Sequence, residues 1–307
     1  MSKSGKSTVA VIPAWKSCPD NLKHAKTIRD LRQRLSDVIS LQSTVTMFND
    51  DRNLSTQVLQ SHLATSRHAY RSPIRPKLSY HAPRQTCAVV GSGGILRRSK
   101  CGNEIDSYDF IFRSNLPPVA GFEADVGSRT DFTAVNKIAL NSLVLHLKDP
   151  KNQTLINKNK FSMDTLSAVY GTILWFGFNM TRSHNRISQT KSDIQYLLDH
   201  SDGLKFTYAY AVLPIWTRIM GEFWNKTGGT SEGFLSFTVA LFLCEKIDIY
   251  GFWPFPTDPS GKRVSHHYYN KRSQYNKKKI VMPEENAIFL DLNERGIINL
   301  VTSKCQG

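Results

Sequence analysis

No apolar run near the start of this chain is long enough to cross a bilayer. The only N-terminal stretch of that kind, residues 9–15 (VAVIPAW), falls far short of the ~20 residues a spanning helix needs, so the chain as it stands is expected to be soluble. Acidic residues are in short supply: 25 Asp and Glu against 40 Lys and Arg leave a formal charge of +15. That balance raises a nucleic acid as partner, but any anionic ligand calls for the same field, and charge alone does not separate the two. Cysteine is scarce at five, which in a cytosolic protein of this size describes free core residues. There is no internal repeat and no long low-complexity segment, and Gly5-Lys6-Ser7-Thr8 lacks the upstream glycine and strand of a P-loop.

What is present is a chain of 307 residues, 40% apolar, enough for one substantial domain with a sizeable core. Its most informative stretch is residues 87–136. Residues 87–90 form a short apolar, β-branched run, 91–94 a small-residue turn, and 109–112 a second apolar strand ending in Arg113, Ser114 and Asn115. Gly91, Gly93 and Gly94 carry no Cβ, so the main chain there can approach a ligand closely and present N–H groups to a phosphate or sugar hydroxyl. The third glycine of the dinucleotide fingerprint is missing at its offset. The residues alone leave two readings open, a ligand-cradling turn and a plain strand-to-helix turn.

Residues 1–20 are expected to be disordered or peripheral. From residue 21 to about 42, Ile28, Leu31, Leu35, Val38 and Ile39 fall at helical spacing, which predicts a helix packed on the main domain. Residues 67–84, RHAYRSPIRPKLSYHAPR, are a Pro- and Arg-rich connector, either a basic strip that guides an anionic ligand or a solvated linker. Residues 21–84 thus precede a domain of residues 85–307. Within it, 172–178 (TILWFGF) reads as a buried strand, 188–200 as a helix, 234–245 as an apolar helix, and 246–253 as a strand entering a loop with Pro254, Pro256 and Pro259. Alternating β and α elements after Cys87 predict an α/β fold, a mostly parallel sheet with helices on both faces and a ligand at its strand ends.

Residues 87–136 resemble, along their full length, the large sialylmotif of animal-type sialyltransferases: C-A-V-V-G, G-I-L, C-G-x-E-I-D, D-F-x-F-R-x-N and D-V-G-S-R-T-D-F follow in order. Residues 231–255, SEGFLSFTVALFLCEKIDIYGFWPF, are similar to the small sialylmotif, and their Y-G-F-W-P-F end points to the α2,8 branch. Residues 267–270 (HYYN) are similar to motif III and 282–285 (MPEE) to the very small motif. The resemblance implies a Rossmann-like glycosyltransferase fold, a GT-A variant. It implies an inverting, metal-independent enzyme without cofactor, which moves sialic acid from CMP-sialic acid to a sialylated glycoprotein or glycolipid. No Asp-x-Asp signature is present, in keeping with that mechanism. The expected partners are donor and acceptor, not a nucleic acid. The expected place is the Golgi lumen, as a type II membrane protein whose anchor is not visible in this chain.

The resemblance also implies disulfides Cys87–Cys244 and Cys101–Cys305, leaving Cys18 over. Such bridges require an oxidising compartment. Four glycosylation sequons, at Asn53, Asn152, Asn179 and Asn225, agree with that compartment.

Sialyl transfer sets two tasks. A base must take the acceptor hydroxyl's proton, and donors must stabilise the departing phosphate. For the donor site the resemblance points to Ser92, Gly93, Asn115, Asn136, Ser231, Gly233 and Trp253. Ser231 and Gly233 match a Ser-Thr-Gly turn at a helix start, where N–H groups can hold a phosphate. The middle residue here is Glu232, a carboxylate that is unfavourable beside a phosphate unless it turns to solvent. Trp253 either stacks on the cytosine or belongs to the core. His267 aligns with a histidine that stabilises the leaving phosphate in relatives. The family's general base falls at Ile280, which cannot accept a proton, and Asn270 replaces the usual acidic residue of motif III. Either His266 or His267 takes the base role, another group does, or the chain is a catalytically silent homologue that binds CMP-sialic acid or sialoglycans. Lys277, Lys278 and Lys279 either bind the acceptor's carboxylates or form a solvated loop.

Overall fold

A computed structural model of the chain describes residues 22–38, 45–48, 84–149, 173–176, 193, 196, 207–211, 219–226, 230–270 and 283–306. Eight strands form one sheet: β1 (Val45–Phe48), β2 (Arg84–Val90), β3 (Phe110–Ser114), β4 (Phe132–Val135), β5 (Ile173–Phe176), β6 (Thr207–Ala211), β7 (Cys244–Tyr250) and β8 (Asn299–Val301). Their order across the sheet is β1-β6-β5-β4-β3-β2-β7-β8, and only the β1–β6 pairing is antiparallel. The expected strand at 172–178 is β5. Of the helix expected at 188–200, only Asp193 and Tyr196 lie among the described residues, both helical.

The period-2 pattern of the central strands explains why the sheet has a layer on each face. Cys87 and Val89 of β2, Phe110 and Phe112 of β3, and Ile247 and Ile249 of β7 join one apolar cluster. Ala88 and Val90, Ile111, and Tyr250 join the other. A strand buried on both faces reads as a continuous apolar run, which is how residues 87–90 read.

On the first face lies α5 (Glu232–Leu243), against β2, β3 and β4. Ten of its 12 residues are buried, as expected of a helix apolar all round. It runs without a loop into β7, two residues before the strand start that the sequence predicts. The helix α1 (Ile28–Val38) packs on α5 and β7. Arg32 clamps the α5–β7 junction: its Nε donates to the Leu241 carbonyl at 2.8 Å, Nη1 to Glu245 Oε1 at 2.8 Å, and Nη2 to the Cys244 carbonyl. The same layer holds α6 (Pro283–Glu294), with proline at its first position and Glu284 and Glu285 in its first turn, where the helix field favours them.

The second face carries α2 (Gly102–Asp106) and α3 (Glu123–Val126). Beyond β4 comes α4 (Lys137–Lys148). Two disulfides tie these parts together. Cys87–Cys244 joins β2 to the start of β7 with Cα atoms 6.0 Å apart, and Cys101–Cys305 joins the start of α2 to the segment after β8, 4.9 Å apart. Cys18 and the connector at 67–83 lie outside the described residues.

Candidate active site

β2 and β7 are neighbours, but the chain leaves β2 toward β3 and leaves β7 toward β8. Their carboxyl ends therefore flank the one place where successive connections diverge, the crevice in which open α/β sheets take ligands. Glycines let the two loops there touch. Gly91 N–H donates to the Tyr250 carbonyl at 2.7 Å and Gly93 N–H to the Gly251 carbonyl at 2.9 Å. A Cβ on Gly93 would stand 2.3 Å from that carbonyl oxygen, and one on Gly94 1.8 Å from the Ser265 carbonyl oxygen. The glycine turn after β2 is thus a three-way backbone crossing.

A cavity of about 310 Å³ opens above this crossing, at the lower end of the range that small-molecule sites occupy. Its walls are Ser92 and Gly93 after β2, Asn115 after β3, Ser231 to Gly233 at the start of α5, Trp253 after β7, His266 and His267, and Glu285 on α6. Every residue expected at the donor site or in catalysis lines it except Asn136.

Asn136 caps α4, its side chain accepting from Ala139 N–H at 2.9 Å. Its own N–H donates to Asn115 Oδ1 at 3.0 Å. Asn115 stands at φ 62°, a left-handed conformation that asparagine tolerates, and its N–H donates to the Ala134 carbonyl at 2.6 Å. With Oδ1 committed to Asn136, the Asn115 amide group is left to donate to a ligand. Trp253 faces the cavity while its Nε1 donates to the Thr257 carbonyl at 2.7 Å.

The histidines ride on a short extended segment that pairs with the glycine loop. Gly94 N–H donates to the His266 carbonyl at 3.2 Å and Tyr268 N–H to the Ser92 carbonyl at 3.0 Å. Tyr268 is fully buried, its hydroxyl donating to the Pro118 carbonyl at 2.7 Å. The His267 ring stacks on Tyr269 with centroids 5.0 Å apart, and its Nδ1 lies 3.3 Å from Asn270 Nδ2. Burial pulls the His266 imidazole below its ordinary pKa, so it is neutral at neutral pH.

Two carboxyl groups meet at the start of α5. Ser231 caps the helix, its Oγ accepting from Phe234 N–H at 3.1 Å. The same Ser231 donates to Glu285, from N–H at 2.8 Å and from Oγ at 2.6 Å. Lys226, buried, stands 3.6 Å from Glu285 Oε1 and 3.4 Å from Glu284 Oε2. Glu232 does not turn away from the cavity. Burial, and then the charge of Glu285, push its pKa up to about 8.

Ser114, Phe252, Asn286 and Phe289 also line the cavity and were not anticipated. Phe252 had a legible signal, since Gly251-Phe252 follows β7 as Gly91-Ser92 follows β2. Its ring fills the space that Gly91 and Gly233 leave, for a Cβ on Gly233 would meet it at 2.4 Å.

Asn225 is exposed at φ 50°, whereas Asn53, Asn152, Asn179, Lys277, Lys278, Lys279, Ile280 and Met282 lie outside the described residues. Among the described residues no group of three or more His, Cys, Asp or Glu could hold a metal, and no helix is long and apolar enough to cross a membrane.

A model of glycosyltransferase family 29 (sialyltransferase) matches residues 31–297. The human protein named Alpha-2,8-sialyltransferase 8E is 33% identical over 236 residues, 74% of this chain and 58% of that one. Mouse Alpha-2,8-sialyltransferase 8F is 34% identical over 237 residues, 73% and 54%. The Alpha-N-acetylneuraminide alpha-2,8-sialyltransferase of Xenopus tropicalis is 31% identical over 254 residues, 80% and 68%. The chain thus spans little more than half the length of the first two. Its fold is that of a crystal structure of a mammalian sialyltransferase, with a TM-score of 0.50 and 19% identity over 94% of this chain and all of that one. The same likeness holds for a mammalian sialyltransferase in complex with Gal-beta-1-3GalNAc-ortho-nitrophenol, with a TM-score of 0.52 and 17% identity over 94% and 99%.

Proposed function

The chain belongs to glycosyltransferase family 29, the sialyltransferases, and from that premise we propose that it transfers sialic acid from CMP-sialic acid to a sialylated glycan through the switch-point cavity. The observation that carries this reading is the convergence on one cavity of Ser92, Gly93, Asn115, Ser231, Gly233, Trp253, His266 and His267, residues that the chain spreads over 175 positions (267 − 92).

The parts suit the reaction. The N–H groups at the start of α5 and the Asn115 amide are donors for the nucleotide's phosphate and ribose, and Trp253 offers a face for the base. The acceptor hydroxyl oxygen bonds to the anomeric carbon from the side opposite the phosphate, which leaves with the electron pair of the broken C–O bond, and the anomeric centre inverts. His266, neutral through burial, receives the hydroxyl proton, and His267 donates to the departing phosphate. No metal is needed in this scheme.

A second cavity, of about 510 Å³, supports an anionic acceptor. Arg97, Arg98, Lys262, Arg263 and Lys304 line it, all exposed. Its one carboxylate, Asp258, is consumed by its own turn, accepting from Ser260 N–H at 3.0 Å, Ser260 Oγ at 2.6 Å and Lys262 N–H at 2.9 Å. Gly94 and Ser265 on its wall are chain neighbours of Gly93 and His266, so it adjoins the reacting centre. The disulfides call for an oxidising compartment, and the Golgi lumen is the one we assign.

Isoleucine at position 280 favours a second reading, a homologue that binds donor without turning it over. Release of CMP from CMP-sialic acid in the presence of sialylated acceptors decides between them. The transferase reading requires acceptor-dependent release; donor binding with neither transfer nor hydrolysis above background overturns it.

A further inference from the structure

The two carboxyl groups at the start of α5 are unequally served. Glu285 accepts two hydrogen bonds from Ser231 and faces the Lys226 ammonium at 3.6 Å. Glu232 has none of this: its Oε2 is buried in the cavity wall with no hydrogen-bond partner among the described residues. Two carboxyl groups buried close together do not both ionise without a large cost, so the proton goes to the one that lacks donors. The other charged and titratable groups around it do not reverse this. Lys226 is committed to Glu285 and Glu284, His266 is held neutral by burial, and His267 engages Asn270 and Tyr269. The N-terminal field of α5 favours a negative charge, but by less than an unpaired buried carboxylate costs.

We propose that Glu232 stands in the cavity as a neutral carboxylic acid and donates a hydrogen bond from Oε2 to an oxyanion of the bound nucleotide sugar, its phosphate or its sugar carboxylate. The assignment of that ligand rests on the donor reading above. Where the family has threonine between serine and glycine, the protonated carboxyl keeps an O–H donor, which removes the conflict between an acidic residue and an anionic ligand. Burial and Glu285 set its pKa at about 8, so the donor is present at neutral pH and becomes a repelling carboxylate above it.

Two measurements test this. Infrared spectra of the ligand-free protein should contain a protonated-carboxyl band at pH 7 that Glu232→Gln lacks and that fades by pH 9. Calorimetry should find CMP-sialic acid bound about 10-fold more weakly at pH 9 than at pH 7, because the acid fraction of a group with pKa about 8 falls about tenfold between them. Glu232→Gln cannot ionise, and its ratio of affinities at the two pH values should be near one, whatever its absolute affinity. Cytidine should bind equally at both. The same loss with CMP assigns the contact to the phosphate; a loss confined to CMP-sialic acid assigns it to the sugar carboxylate. The proposal is overturned if the band is absent at pH 7, if wild-type binding is flat, or if Glu232→Gln keeps the loss. A band at pH 7 with no binding of CMP or CMP-sialic acid at either pH sinks the donor reading and the ligand named here, while the protonated state of Glu232 stands.

Discussion

Ser231 joins two motifs that lie 54 residues apart, and replacing it with alanine tests whether that joint holds the site. Its Oγ does two things at once: it caps α5 through Phe234 N–H at 3.1 Å and donates to buried Glu285 at 2.6 Å. Loss of a serine cap costs about 1 kcal/mol, and loss of a hydrogen bond to a charged group about 1.5–3 kcal/mol. The Ser231 N–H still reaches Glu285 Oε1 in the variant, so the carboxylate is not stripped bare. We expect Ser231→Ala to lose about 2–4 kcal/mol in urea unfolding with the disulfides intact. In a double-mutant cycle with Glu285→Gln, the coupling should be about 1.5–3 kcal/mol, the share that belongs to the shared hydrogen bond. Glu285→Gln alone should be worse than Ser231→Ala, because it also leaves Lys226 buried without its full partner. A loss below 1 kcal/mol, or a coupling near zero, would refute the argument that Ser231 locks α5 to α6.

Gly93→Ala should lose about 2–4 kcal/mol and most donor binding, since its Cβ would stand 2.3 Å from the Gly251 carbonyl oxygen and the backbone must part; Gly221→Ala, with nothing within 4 Å, should change stability by less than about 1 kcal/mol in the same urea assay. If His266 is the base, the acid limb of kcat/KM should lie below pH 6.5, because burial lowers its pKa and protonation abolishes its function only below that value; an acid limb above 6.5 assigns the base elsewhere. Ile280→His should raise acceptor-dependent CMP release by about 10²-fold or more if a missing base limits turnover, and an unchanged rate means that it does not.

The central strands and α5 were legible because parallel strands covered on both faces and a helix apolar all round leave continuous apolar runs. Their boundaries were not. The apolar run marks the helix only from residue 234, whereas Ser231 caps it and Glu232 is its first residue. The reading of residues 246–253 as a strand missed Cys244 and Glu245, because the helix passes into β7 without the turn residues that mark a boundary. The resemblance points to Asn115, Ser231 and the histidines, and the fold gathers them on one cavity. The resemblance also points to Asn136, whose Oδ1 caps α4 and whose N–H serves Asn115, roles that the sequence does not separate from a ligand contact because a cap and a ligand contact use the same side-chain chemistry. Phe252 went unnoticed because its neighbours Gly91 and Gly233 are brought to it only by the sheet.

The two sides of the cavity are held by different means. The side proposed for the donor stands on β2, β3, β7 and the start of α5, joined by ladder hydrogen bonds, the Cys87–Cys244 bridge and the Ser231–Glu285 joint. The histidine segment rests on that frame through two backbone hydrogen bonds to the glycine loop and the buried Tyr268. Isoleucine stands where the resemblance places the base, a role distinct from the nucleotide contacts proposed on this frame, so donor affinity and turnover must be measured separately.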